Sequence, residues 1–174
     1  MQKDTTEILQ QLSTGNARFL EEQPSLPEEH SPSVAILACA DARVEPSRIF
    51  AAEIGELFVV RNAGNVASEY ARESLAFAAE LGVNAIVVLG HTDCGAVKDA
   101  LAADPELSAS AAAIRAHLGN ETSPDEAARA HARGTADKVA AAIRRDVPVI
   151  AALYQTETGE VEWLERGSRT STGK

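Results

Sequence analysis

Basic residues are scarce in this chain: 16 Lys and Arg stand against 26 Asp and Glu, a formal net charge of -10. Such a surface repels phosphate backbones and anionic lipid, so neither nucleic acid nor membrane is expected as a partner. Apolar runs are short. Met1-Gln2-Lys3-Asp4 leads into a polar amphipathic segment with no apolar leader, and no run is long enough to span a bilayer, so a soluble cytoplasmic protein is expected. Cysteine is limited to Cys39 and Cys94. Without an export signal, a reduced pair is expected rather than a disulfide, either holding a metal or buried as apolar filler. Internal repeats and low-complexity tracts are lacking too. The 174 residues therefore read as one domain, large enough to bury a core without staples.

The two thiols share a setting. Val34-Ala35-Ile36-Leu37-Ala38 is a run of small and β-branched residues that ends at Cys39, with Asp41 and Arg43 at alternate positions beyond it. Ala85-Ile86-Val87-Val88-Leu89-Gly90 ends in the same way at His91-Thr92-Asp93-Cys94-Gly95. Runs of this kind read as central strands of a parallel sheet. Ligands of open α/β sheets collect beyond the carboxyl ends of strands, where the strand order reverses. The chain is expected to be organised around such a crevice.

Around these strands the pattern alternates. Residues 4–22 place Ile8, Leu9, Leu12, Phe19 and Leu20 on one side of an amphipathic helix. Three prolines between Gln23 and Pro32 then impose an extended path. This helix either packs on a neighbouring subunit or folds back on its own domain. A short helix from Pro46, a strand at Leu57–Val60 and an alanine-rich helix over 68–81 capped by Gly82 follow. Helices are expected over 95–102 and 108–118, separated by the polar spacer Asp104-Pro105. Ser123-Pro124-Asp125-Glu126 reads as a capping box opening the longest helix, running to Arg145 with Gly134 as an interruption. Pro148–Tyr154 is a further core strand, and Thr158-Gly159 turns the chain into a hairpin with Val161–Leu164.

The expected fold is a single α/β domain with a central four-stranded parallel sheet, extended by an antiparallel C-terminal strand and carrying helices on both faces. Residues 1–33 are expected to form an N-terminal helical arm and proline-rich linker, 34–166 the α/β domain that carries both cysteine-bearing strand ends, and 167–174 a frayed polar tail.

Cys39, His91 and Cys94 supply two thiolates and an imidazole, the donor set zinc prefers, from strand ends that parallel pairing brings together. Three protein ligands leave a fourth position free, as at a catalytic rather than a structural site. The alternative is two buried structural cysteines and an unrelated histidine. Asp41 and Arg43 can pair on one side of the exit. The carboxylate then either orients a metal-bound hydroxide or itself becomes the fourth ligand.

These residues resemble a known family, the β-class carbonic anhydrases. The similarity rests on Cys39-Ala-Asp41-Ala-Arg43 and His91-Thr-Asp-Cys94-Gly95, on Gly55-Glu56-Leu57-Phe58-Val59-Val60-Arg61-Asn62-Ala63, and on Gly15-Asn16-x-Arg18-Phe19. It runs from the N-terminal arm through Thr158-Gly159. The resemblance implies one Zn2+ per chain held by Cys39, His91 and Cys94, an Asp41–Arg43 dyad, and reversible hydration of CO2 to bicarbonate and a proton by zinc-bound hydroxide. It also implies a homodimer or dimer of dimers whose first helices embrace the partner. His30, Phe58, Ala63, Gly95 and Phe77 from a second copy fall near the family's substrate pocket. His30 stands where many members carry glutamine, and Phe77 where tyrosine is commoner. Both departures bear on substrate choice or proton transfer. Hydrolysis of COS or CS2 on the same scaffold is the alternative activity, and a zinc-holding protein without turnover is the alternative from another class.

Overall fold

The computed structural model describes residues 4–22, 24–102 and 108–165. The chain divides into two compact units, Met1–His30 and Ser31–Lys174. The first is built on α1 (Thr5–Glu21), whose N-terminus is closed by a capping box: Asp4 accepts the Glu7 N–H while the Glu7 carboxylate takes the Asp4 N–H. None of its residues is buried, and Leu9 and Leu12 are 61% and 65% exposed in the single chain.

The second unit contains β1 (Val34–Cys39), α2 (Pro46–Ile49), β2 (Leu57–Asn62), α3 (Glu69–Leu81) and β3 (Ala85–His91). After these come α4 (Gly95–Leu101), α5 (Ala109–Arg115), α6 (Pro124–Ala142), β4 (Val149–Tyr154) and β5 (Val161–Leu164). The strands form one sheet in the order β2-β1-β3-β4-β5, parallel except for the β4–β5 pair. From β1 the chain crosses to β2 on one side, then returns past β1 to β3 on the other. The order reverses between β1 and β3, and the crevice beyond their carboxyl ends is the place such a sheet offers a ligand.

Alternation along β1 separates two apolar layers. Ala35, Leu37 and Cys39 face a core shared with Leu75 of α3, Val97 of α4, Ile114 of α5 and Val139 of α6. Ile36 and Ala38 face a thinner layer with Val87, Leu89 and Ala152, against which Ile49 of α2 and Phe50 pack. Burying β1 on both faces explains why its sequence is apolar throughout rather than alternating.

Several local expectations take a different form. The capping box at Ser123 does not close: the Ser123 side chain caps nothing, and the Glu126 carboxylate turns to Arg129 at 3.0 Å instead of reaching back. Helix α6 ends at Ala142 rather than Arg145 and runs unbroken through Gly134. That glycine serves packing, since a Cβ there would stand 2.6 Å from Cγ of His117. Ser68 and Gly82 cap α3 as expected, the glycine in the left-handed region at φ 97°. Asp104-Pro105 and the tail from Gly167 lie outside the described residues. No helix among those described is long and apolar enough to cross a membrane.

Candidate metal centre

Cys39 closes β1, His91 closes β3, and Cys94 is the residue preceding α4. One donor atom from each falls within 4.8 Å of the others, the single such group among the described residues. All three are buried, at 5%, 1% and 2% exposure. The protonation of His91 follows from its partner. Its Nδ1 lies 2.8 Å from the Thr92 carbonyl, which can only accept, so Nδ1 carries the proton and Nε2 keeps its lone pair. That Nε2 is buried and has no hydrogen-bond partner among the described residues. A bare imidazole nitrogen beside two thiols is costly unless something electrophilic meets it. The donor set suits zinc, which takes thiolate sulfur and neutral imidazole nitrogen together.

The thiols differ. Cys39 is pushed well below its ordinary pKa, chiefly by the hydrogen bond from Cys94, with the Gly64 N–H adding to the effect against the cost of burial. Cys94 is pushed up by that same hydrogen bond and by burial. Without a metal the pair thus retains a proton on Cys94, and taking a divalent cation requires releasing it.

Asp41 and Arg43 form an ion pair through both carboxylate oxygens. Arg43 Nε and Nη2 lie 3.0 and 2.8 Å from Asp41 Oδ1 and Oδ2, and the Arg43 backbone N–H reaches Oδ1 at 2.9 Å. These bonds, the side-chain ones foremost, hold the Asp41 carboxyl well below the usual carboxylate range. Asp41 Oδ2 also lies 4.0 Å from His91 Nε2, which puts the carboxylate at the edge of the donor set.

Three contributors went unassigned in the sequence. Asp93 sits with φ 56° between His91 and Cys94 and accepts from Arg43 Nη1 at 2.7 Å, while Lys98 pairs with its other oxygen. Arg43 is therefore gripped by carboxylates on two sides. Arg61 donates to the Cys39 and Asp41 carbonyls at 3.1 and 2.8 Å and pairs with Glu45, bracing the exit loop of β1. Gly64 N–H donates to Cys39 Sγ at 3.3 Å. The His-Thr-Asp-Cys and Arg-Asn-Ala-Gly strings were visible signals, but their partners are fixed only by the sheet order.

The substrate-pocket candidates are scattered within one chain. Ala63 precedes Gly64 beside the donors, and Gly95 follows Cys94 at the start of α4, with open space where a Cβ would be. Phe58 is level with Ala35, four register positions below the Cys39–Asn62 pair, or about 13 Å along the strand. It packs on Phe77 of the same chain with ring centroids 6.2 Å apart. His30 belongs to the N-terminal unit. A cleft of about 360 Å³ lined by Thr92, Asp93, Lys98, Asp125, Thr156 and Thr158 opens at the carboxyl end of β3.

A family model described as carbonic anhydrase matches residues 34–161, which span β1, β3 and the start of α4. The chain belongs to the carbonic anhydrase family, in its β class. A relative named carbonic anhydrase 2 from Mycobacterium tuberculosis is 40% identical over 104 residues, covering 53% of this chain and 50% of that protein. The chain spans about half the length of that relative. Among solved structures, a tetrameric β-carbonic anhydrase from Sordaria macrospora superposes with a TM-score of 0.76 at 19% identity, covering 93% of this chain and 98% of the other. A carbon disulfide hydrolase superposes at 0.58 and 21% identity, covering 98% of this chain and 96% of the other. At such identities the likeness is one of fold.

Proposed function

We propose that the protein is a zinc-dependent carbonate dehydratase, interconverting CO2 and bicarbonate. The observation that carries this reading is the bare, buried Nε2 of His91 beside two thiols, with the Asp41–Arg43 pair at its edge. Cys39, His91 and Cys94 would hold one zinc ion per chain. Zinc bound there supplies Lewis-acid activation of a water molecule, more weakly than at a tris-histidine centre, where that water's pKa is about 7, because two thiolates offset the ion's charge.

The chain's own groups supply the rest. Asp41, ionised far below neutrality, accepts a hydrogen bond from the attacking water and fixes its orientation. Both of its oxygens are engaged by Arg43, so serving as a metal ligand would mean giving up those bonds. This favours an orienting role. Arg43 is in turn held by Asp93, and Arg61 keeps the Cys39–Asp41 backbone in place.

The test is stopped-flow CO2 hydration by the zinc-loaded protein, with COS and CS2 assayed on the same sample. Turnover of CO2 should exceed both and should climb from neutral into alkaline pH, since the activated water is only weakly acidified. Asp41 titrates far below that range and so does not set the profile. A rate flat from mildly acidic to alkaline pH would rule out this account, and COS or CS2 turnover above CO2 would transfer the reading to the alternative substrates.

Assembly belongs to the same reading. The exposed Ile8, Leu9, Leu12 and Leu20 on α1 form an apolar stripe suited to a second copy, and a structural relative is described as tetrameric. A second copy would also have to deliver Phe58 and Phe77 together, as one aromatic pair, to any pocket at the donors. Deleting residues 1–22 should dissociate or aggregate the protein in light scattering. A truncated chain of unchanged mass and solubility would refute the embracing arm.

A further inference from the structure

His131 and His117 have no part in the chemistry above, yet both are wired to it. His131, on α6, is 1% exposed. Its Nε2 lies 2.7 Å from the Gly64 carbonyl and its Nδ1 lies 3.0 Å from Nδ1 of His117, the two rings stacking with centroids 5.1 Å apart. A carbonyl can only accept, so His131 Nε2 carries its proton and Nδ1 is an acceptor. His117 Nδ1 must then be the donor. Both tautomers are thereby fixed, and the His117 Nε2 lone pair remains buried and unpartnered among the described residues. Burial pushes both imidazoles below their ordinary pKa, which keeps the pair neutral.

Two glycines flank this pair, Gly134 making room for it and Gly64 packing closely on Ile114 and Ala96. Gly134 gives up its side chain to admit the His117 ring, although a mid-helix glycine costs about 1 kcal/mol relative to alanine. Gly64, at φ +74°, could carry no Cβ either, since one would stand 2.7 Å from Cδ1 of Ile114 and 3.0 Å from Cβ of Ala96. Gly64 and Asn65 form a left-handed turn at φ 74° and 42°, closed by the Asn62 amide on the Val66 N–H and carbonyl at 2.7 and 2.8 Å. The turn ends with the Gly64 N–H on Cys39 Sγ. The N–H and carbonyl of Gly64 belong to successive peptide units. What His131 transmits is therefore position rather than conjugation.

We propose that His131, held in one tautomer by His117, is a positioning residue for Cys39: it pins Gly64 so that a peptide N–H stays aimed at the Cys39 sulfur. The inference rests on the reading of Cys39 as a zinc ligand. A hydrogen bond to a thiolate stabilises the anion and orients its lone pairs toward a metal, and loss of such outer partners typically costs about 10- to 100-fold in metal affinity.

The test compares His131→Phe, which keeps a ring and removes the donor, with His131→Gln, which restores a donor, and with His117→Phe, which frees the tautomer. Zinc affinity is read by chelator competition, and the cobalt(II)-substituted proteins are read by their sulfur-to-metal charge-transfer absorption. His131→Phe should lose about 10- to 100-fold in zinc affinity and shift the charge-transfer band. His131→Gln should recover most of both, and His117→Phe should fall between. A folded His131→Phe chain with the parent's affinity and cobalt spectrum would overturn the proposal. Histidine 15N shifts of the metal-free parent provide the measurement should that variant not fold. Protonated Nε2 on His131 with protonated Nδ1 on His117 supports the relay, and any other pattern removes it. A parent that takes up no zinc sinks the functional reading, while the 15N pattern still decides separately whether His131 pins Gly64.

Discussion

Replacing Cys94 by serine is expected to leave a chain that holds no zinc after dialysis and has no measurable CO2 hydration. A serine hydroxyl is a hard, neutral donor at pH 7 on a shorter bond, so the ion would keep only one thiolate and one imidazole. The effect on stability needs separating into two parts. Cys94 is the N-cap of α4 and its side chain makes no capping bond there. Serine is a preferred residue at that position, worth about 0.5–2 kcal/mol against alanine, which offsets part of the cost of a buried hydroxyl. The metal-free variant should therefore unfold near the metal-free parent. The large difference is the linkage: added zinc should raise the parent's unfolding temperature and leave the variant's unchanged, because binding energy at the site contributes to folding. Full zinc content in Cys94→Ser by metal analysis would remove Cys94 from the ligand set.

The part of this site that could be read from the sequence was the part written at strand ends. Cys39 and His91 terminate apolar runs that could only be buried strands, and adjacent parallel pairing was enough to bring their donors together. The sheet order added the switch point that places them. The supporting contacts were not legible, because each joins residues whose proximity depends on the whole topology. Arg43 to Asp93 spans 50 residues and His131 to Gly64 spans 67. The composition of α6 also misled. A Ser-x-x-Glu string reads as a capping box only if the glutamate has no better partner, and Arg129 one turn on provides one. Gly134 reads as a helix breaker only if nothing packs against it, and the His117 ring does. In both places a side chain distant in the chain, or on the next turn, decided what a local rule left open.

Asp41→Asn is expected to separate metal binding from turnover. Asparagine keeps the shape and one acceptor oxygen, while losing the charge that makes Asp41 a strong acceptor for a water proton and a bidentate partner for Arg43. Arg43 retains Asp93, so the guanidinium stays near its place. The pair's contribution to folding is small in either case, because the Arg43 side chain is 49% exposed and solvent screens the interaction. Zinc content and unfolding temperature should stay near the parent's, while CO2 hydration falls by about 10²- to 10⁴-fold, the range typical of a positioned acid–base group. The loss should be similar across neutral and alkaline pH, because the parent's Asp41 is ionised throughout that range. Parent-like turnover with bound zinc would deny Asp41 its orienting role. Loss of zinc comparable to that of Cys94→Ser would instead make Asp41 a ligand, reached by giving up its bonds to Arg43.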